Sequence, residues 1–188
     1  EAILSAALDE FSSQGFAAAR LDDVARRAGV AKGTIYLYFR DKDALFQELI
    51  RSMLTPVVGS LEQLRDADVP MRVLGDQLVE FFVREIFNTR RREVIRLMIA
   101  EGRRFPKLAE FYYREVLSRV LAAMRALLSR AVARGELPDI VVQYPQLLVA
   151  PGLIAVVWTG LFDKYEPIDV RKMMKANLDI LLAAGRPS

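Results

Sequence analysis

The stretch that decides the fold occupies residues 29–46 and reads Gly-Val-Ala-Lys-Gly-Thr-Ile-Tyr-Leu-Tyr-Phe-Arg-Asp-Lys-Asp-Ala-Leu-Phe. In a helix-turn-helix, two helices cross through a turn of three or four residues. The turn needs a positive φ, which glycine adopts without strain, and Gly29 stands at that position. Ala25 provides a small side chain at the crossing four residues earlier, and Ile35 provides a branched apolar side chain six residues later. The spacing predicts a helix-turn-helix over residues 21–38.

The flanking residues extend this motif to a three-helix headpiece. Apolar residues repeat at helical spacing over residues 3–11, and Gly15 is placed to end that helix. After the motif, Asp41 is placed to cap a fourth helix that runs to about Val58. We therefore predict a headpiece domain over residues 1–46.

The remaining residues, 47–188, also show helical periodicity. The longest pattern begins at Pro106 and ends at Gly135, which are typical start and stop residues. Only Ile140–Tyr144 is strand-like, and a proline follows it directly. The sequence predicts an all-α fold of about nine helices, with a second helical domain over residues 47–188.

One segment, Ile140–Phe162, has no charged residue over 23 positions and is long enough to span a bilayer. Pro145, Pro151 and Gly152 interrupt it, and a helix that is buried on most of its surface has the same composition. We therefore expect no membrane contact. Nothing at the start of the sequence signals secretion, so a cytoplasmic location is expected.

The composition argues against an enzyme. Cysteine is absent, which excludes disulfides and thiol chemistry, and histidine, the commonest general base and zinc ligand, is absent too. No catalytic constellation, metal site or cofactor is predicted. The net charge is only +3, yet Val24–Lys42 carries five basic residues against one acidic residue. A local basic stretch in a helix-turn-helix is typical of DNA binding.

Residues 29–46 resemble the signature of the TetR family of transcriptional regulators, Gly-Val-Ser-Lys-Gly-Thr-Leu-Tyr-x-x-Phe followed by a Lys-Glu-x-Leu-like helix start. Residues 7–16 and Asp22–Ala25 fit the same pattern, so the resemblance covers about residues 2–50. It implies a homodimer that binds double-stranded palindromic operator DNA, as a repressor that a small-molecule ligand releases. An activator or a ligand-free regulator fits the same residues. A lipid carrier or adaptor whose headpiece no longer binds DNA is a further alternative.

The resemblance also implies which residues contact DNA. Gly33 would let the backbone approach closely, and Lys42 would combine its charge with a helix dipole on a phosphate. Tyr38 is alternatively a core residue. Arg20 stands where the family has a capping Thr or Ser, so it would replace that residue as a phosphate contact. The predicted DNA-binding residues are Arg20, Lys32, Gly33, Thr34, Tyr36, Tyr38 and Lys42.

For the second domain, the resemblance implies dimerisation through the last two helices, about Pro145–Tyr165 and Asp169–Ala184. The first of these is apolar on nearly every side, which suits an isologous interface, although a monomer with this helix at its centre would show the same pattern. The predicted interface residues are Leu148, Ile154, Val157, Leu161, Met174, Leu178 and Leu181.

The resemblance further implies a ligand pocket in the second domain for a small apolar or amphipathic effector. Aromatic and methionine side chains are adaptable wall material for such a pocket, although each of them is alternatively plain core. The candidate lining residues are Phe82, Met98, Phe105, Tyr112 and Trp158.

Overall fold

The computed structural model describes residues 1–185, which contain helices and no strand, so the predicted all-α class is confirmed. The α-helical segments are α1 (Ala2–Ala18), α2 (Leu21–Ala28), α3 (Lys32–Tyr38), α4 (Lys42–Leu64), α5 (Met71–Phe82), α6 (Arg91–Glu101), α7 (Pro106–Tyr112), α8 (Ser118–Ala133), α9 (Ile140–Gln143), α10 (Gln146–Leu161) and α11 (Val170–Ala184). A π-helical stretch, Tyr113–Leu117, joins α7 to α8, and α9 is a single turn. If α7 and α8 are taken as one continuous helix and the single turn α9 is left out, residues 1–185 contain nine helices, which agrees with the predicted number.

The chain forms two compact units. The first unit comprises Glu1–Pro56 and Glu93–Leu117, and the second comprises Val57–Arg92 and the chain from Ser118 onward. The division predicted after residue 46 separates a DNA-binding headpiece from the rest of the chain according to function, whereas these units are defined by contacts. The predicted division therefore stays a prediction.

The core of the first unit is built around an aromatic cluster. The rings of Phe11, Phe16 and Phe46 lie 5.3 to 5.5 Å apart, and Phe105 adds an edge-to-face contact with Phe16 at 4.8 Å. Such tilted and edge-to-face pairs add stability beyond the apolar area that they bury. The cluster fixes α1 against the start of α4.

The helix-turn-helix follows the predicted residues closely. Gly29 ends α2 in the left-handed conformation, with φ 70° and ψ 25°. Ala25 and Ile35 are buried at the crossing. The Asp41 carboxylate accepts a hydrogen bond from the backbone N–H of Ala44 at 2.7 Å, so the predicted cap at the start of α4 is confirmed. Helix α3 is therefore fixed in position by the Gly29 turn that precedes it and by the capped start of α4 that follows it.

The regular part of α1 ends at Gly15, as the sequence predicted, and the chain kinks there before a short helical turn that α1 includes. Gly15 has φ 74° and ψ 161°, and helical hydrogen bonding resumes up to Ala18. A side chain at Gly15 would also lie 2.7 Å from the Glu101 carboxylate. The positive φ is what requires glycine here, because the Glu101 carboxylate is the end of a flexible side chain and can move away from a Cβ.

The second unit has its own apolar core. Leu74, Leu127, Leu128 and Leu178 are almost fully buried, and the absent side chain of Gly75 leaves room for Leu178. Within residues 1–185, no helix combines the length and apolar character that crossing a bilayer requires. The strand-like segment after residue 139 forms the helical turn α9.

Candidate DNA-binding surface

Helix α3 buries one side chain and presents most of the others to solvent. Ile35 is fully buried, whereas Tyr36, Leu37 and Tyr38 are 47%, 84% and 72% exposed. Lys32 and Gly33 are exposed as well. We call these five exposed residues the α3 surface. Consecutive exposed apolar and aromatic side chains on a small headpiece indicate a contact surface for another molecule.

The exposure of Tyr38 settles one of the alternatives left by the sequence. Tyr38 is not a core residue, because its side chain lies in solvent beside Phe39, with ring centroids 6.5 Å apart. Leu37, which sequence reasoning did not select, is the more exposed of the two. The position of Leu37 could have indicated its exposure, because a residue two positions after the inward-pointing Ile35 lies on the opposite face of a helix. Thr34 is half-buried.

Two side chains of the α3 surface share one carboxylate. Asp22 Oδ2 lies 2.7 Å from Lys32 Nζ, and Asp22 Oδ1 accepts a hydrogen bond from the Tyr36 hydroxyl at 3.0 Å. The Lys32 hydrogen bond holds the pKa of Asp22 below its usual value, and the same bond raises the pKa of Lys32. Both groups are therefore ionised at neutral pH. Lys32 and Tyr36, which lie one turn apart on α3, are held together by α2.

Arg20 lies next to this network. It occupies the N-cap position of α2, where its side chain makes no capping hydrogen bond. Its positive charge adds to the lowering of the pKa of Asp22, which the hydrogen bond from Lys32 chiefly causes. Arg20 is exposed and adds positive charge beside the α3 surface.

Lys42 has a different environment from the one predicted. Its ammonium group donates hydrogen bonds to the carbonyl oxygens of Phe16 at 2.8 Å and Ala17 at 2.6 Å, with a longer contact of 3.4 Å to Ala19. The ammonium also lies 5.0 Å from the centroid of the Phe16 ring. Because an ammonium has three donors, these carbonyls use all of them. Lys42 therefore ties the end of α1 to the start of α4, and its phosphate contact stays a prediction.

Gly33 is open to close approach. A Cβ atom at this position would meet nothing within 4 Å. No contact with any residue of 1–185 explains a glycine here, in the first turn of a short helix where it costs stability. The open space is consistent with a role in contacting DNA.

The predicted interface residues fall into three groups. Ile154 and Leu161 are exposed on α10, and Leu148, Val157 and Leu181 are half-buried. Met174 and Leu178 are buried in the core of the second unit, which corrects the expectation that they face a partner. Three large apolar residues that are exposed on these helices are not in the predicted set, namely Leu147, Leu153 and Ile180.

The predicted pocket residues are divided between the two units. Phe105 belongs to the aromatic cluster of the first unit, where Met98 is half-buried and Tyr112 is buried. Burial raises the pKa of the Tyr112 hydroxyl to about 12, so it stays protonated. In the second unit, Phe82 lies over Gly152, and the Trp158 indole N–H donates to the Glu166 carbonyl at 2.8 Å.

Two protein-family models match this chain, one at its N-terminal helices and one in its later helices. Residues 3–49 match the family model described as bacterial regulatory proteins of the tetR family, and residues 76–173 match the model described as a tetracyclin repressor-like C-terminal domain. The second match alone covers more than half of the chain.

The curated proteins to which the chain is similar include the transcriptional regulators RutR and SrpR. The chain is 31% identical to RutR of Escherichia coli over 118 residues, which are 63% of this chain and 48% of RutR. The chain thus matches only about half the length of that relative. It is 26% identical to SrpR of Pseudomonas putida over 181 residues, which are 96% of this chain and 83% of SrpR.

Among solved structures, the fold is similar to that of a complex of SmeT with triclosan. The TM-score is 0.76 at 23% identity, over 97% of this chain and 89% of that chain. SmeT is described as the repressor of a multidrug efflux pump of Stenotrophomonas maltophilia. At this level of identity, the likeness concerns the fold alone.

Proposed function

Because this chain belongs to the TetR family of helix-turn-helix transcriptional regulators, and not to a family of enzymes, we propose that it is a repressor. It binds a palindromic operator as a homodimer and leaves it when a small molecule binds. The observation that carries the proposal is the α3 surface, which presents two tyrosines, a leucine, a lysine and an open glycine backbone on one exposed helix.

The α3 surface has the chemistry that reading a major groove requires. Hydroxyl and ammonium groups reach base edges and phosphates, and an apolar side chain such as Leu37 fits against a thymine methyl group. Arg20 adds a cation at the border, where a DNA backbone would pass. One headpiece offers few base contacts, so a pair of headpieces is needed for specific binding.

The second unit supports a homodimer. The apolar residues Leu147, Leu153, Ile154 and Leu161 of α10 and Ile180 of α11 are exposed. No charged residue interrupts this surface along α10. A monomer that left these side chains in water would be prone to association, whereas a two-fold interface removes them from water on both subunits at once.

The proposed effector is apolar or amphipathic. Phe82 and Trp158 are half-buried aromatic residues of the second unit, and aromatic walls suit such molecules. Triclosan, which the structure of SmeT contains, is of this class. An effector releases the operator only if it prefers a state of the dimer that does not fit DNA, and a coupling of about 1–3 kcal/mol would weaken binding roughly 5–150-fold.

The test is to select bound duplexes from a random DNA pool with the purified chain. A single enriched palindrome, bound with a stoichiometry of two chains per duplex, is the expected result. Enrichment of a non-palindromic site, or binding by single subunits, would overturn the dimer. No enrichment at all would overturn the proposed function. Adding triclosan as an effector probe then tests the release step by gel shift.

A further inference from the structure

Asp22 of α2 places a carboxylate against the α3 surface, although negative charge repels DNA. Its two oxygens contact Lys32 at 2.7 Å and Tyr36 at 3.0 Å, and its side chain is about one-third exposed, at 32%. The carboxylate therefore reaches the same solvent-facing side as the groups that would meet the operator. If Asp22 served only to stabilise α2, there would be no reason for both of its partners, Lys32 and Tyr36, to lie on α3.

The pair has two physical consequences for DNA binding. First, sequence-independent affinity comes from cations that neutralise phosphates, and a lysine already paired with a carboxylate contributes less of it. Second, a lysine ammonium on its flexible stem is a poor reader of sequence unless something fixes it. Asp22 fixes both the ammonium of Lys32 and the hydroxyl of Tyr36.

We propose that Asp22 determines specificity: it positions Lys32 and Tyr36 for the operator and cancels charge that would otherwise bind any DNA. The inference rests on the proposed function, because it concerns how the same surface discriminates between DNA sequences. It makes Asp22 a positioning residue that acts through its two partners.

Asp23 provides a matched control for this role. Asp22 and Asp23 both lie in the first turn of α2, where a negative charge interacts favourably with the helix dipole. Asp23 also forms an ion pair, with Arg26 at 2.6 Å, and its side chain is similarly exposed at 28%. The partner of Asp23 is on α2 itself, so loss of Asp23 removes a charge and an ion pair without releasing any residue of the α3 surface.

The experiment compares Asp22→Asn with Asp23→Asn in the full chain. Affinity is measured over a salt series for the palindromic duplex selected above and for a shuffled duplex of equal length and composition. For Asp22→Asn, the salt slope on the shuffled duplex becomes steeper by about 0.9 per subunit, and affinity at about 0.1 M salt rises roughly 5–10-fold per subunit. The ratio of palindromic to shuffled affinity falls by the same factor, since the specific contacts gain nothing from the freed charge. Asp23→Asn leaves the ratio close to that of the parent.

The double variant Asp22→Asn with Lys32→Gln tests whether the steeper slope comes from the freed ammonium of Lys32. It restores the parental net charge, so the slope on the shuffled duplex is expected to return to the parental value; a slope that stays steep would show that the added charge does not act through Lys32. The inference is overturned if Asp22→Asn keeps the parental ratio, or if Asp23→Asn loses as much discrimination. If the parent itself binds both duplexes equally, the proposed function fails, which is a distinct result.

Discussion

Replacing Lys42 with methionine distinguishes a structural role from a phosphate contact. Methionine keeps an unbranched apolar stem of similar length and removes the ammonium group. Of the three carbonyls that the ammonium contacts, that of Ala17 is exposed, and water replaces the lost hydrogen bond there. The carbonyl of Phe16 is partly buried, as is that of Ala19, so the loss falls on these groups.

The expected loss of stability is therefore close to that of one charge-assisted hydrogen bond, about 2 kcal/mol. For a protein of this size, such a loss lowers the unfolding midpoint by roughly 4–8 °C. The assay is thermal unfolding followed by circular dichroism, with Lys107→Met as the control, because Lys107 is an exposed lysine of the same unit. The control is expected to change stability by less than about 0.5 kcal/mol.

The same variant is then tested for DNA binding over a salt series. If Lys42 only ties α1 to α4, the salt slope of Lys42→Met equals that of the parent below the unfolding transition. An unchanged unfolding midpoint, together with a slope that falls by about 0.9 per subunit, would show that Lys42 binds a phosphate and would refute this reasoning.

Three further substitutions test the surfaces directly. Gly33→Ala is expected to keep or raise the free energy of unfolding, by up to about 1 kcal/mol, because the new Cβ meets open space and alanine favours a helix. Gel shifts should nevertheless show weaker operator binding, and unchanged binding would contradict a close approach of the Gly33 backbone to DNA. Leu37→Ala should leave the unfolding midpoint unchanged but reduce operator affinity by roughly 1 kcal/mol per half-site, with the loss confined to one base position in a repeated selection. Ile154→Glu should yield monomers in sedimentation. Ile99 is an equally exposed isoleucine of the first unit, and Ile99→Glu should leave the dimer intact. If both variants stay dimeric, the exposed apolar surface of α10 is not the dimer interface.

The headpiece was largely predictable because its determinants are local. Gly29 and Ile35 act within a few residues of the turn, and Asp41 caps a helix that begins at the next residue. Sequence spacing therefore carries the information that decides these features.

The remaining features depend on residues that are distant in the chain. The Lys42 ammonium binds carbonyls about 25 residues earlier, and Asp22 meets Tyr36 across the turn, so neither contact has a periodic signal. Met174 and Leu178 form an apolar stripe on α11, but periodicity does not say whether such a stripe faces its own core or a partner. Burial in the second unit decides that both face the core.

The central claim is that the α3 surface enters the DNA groove, and the absence of native cysteine allows a direct test. A DNA-cleaving iron chelate attached to a single cysteine, introduced as Leu37→Cys, cuts only base pairs that lie close to α3. We predict two clusters of cuts, placed symmetrically about the centre of the selected palindrome. The same reagent at Val73→Cys, an exposed position of the second unit outside the proposed dimer interface, should leave the duplex intact. Cutting from position 73 with none from position 37, or uniform cutting from both, would contradict the account.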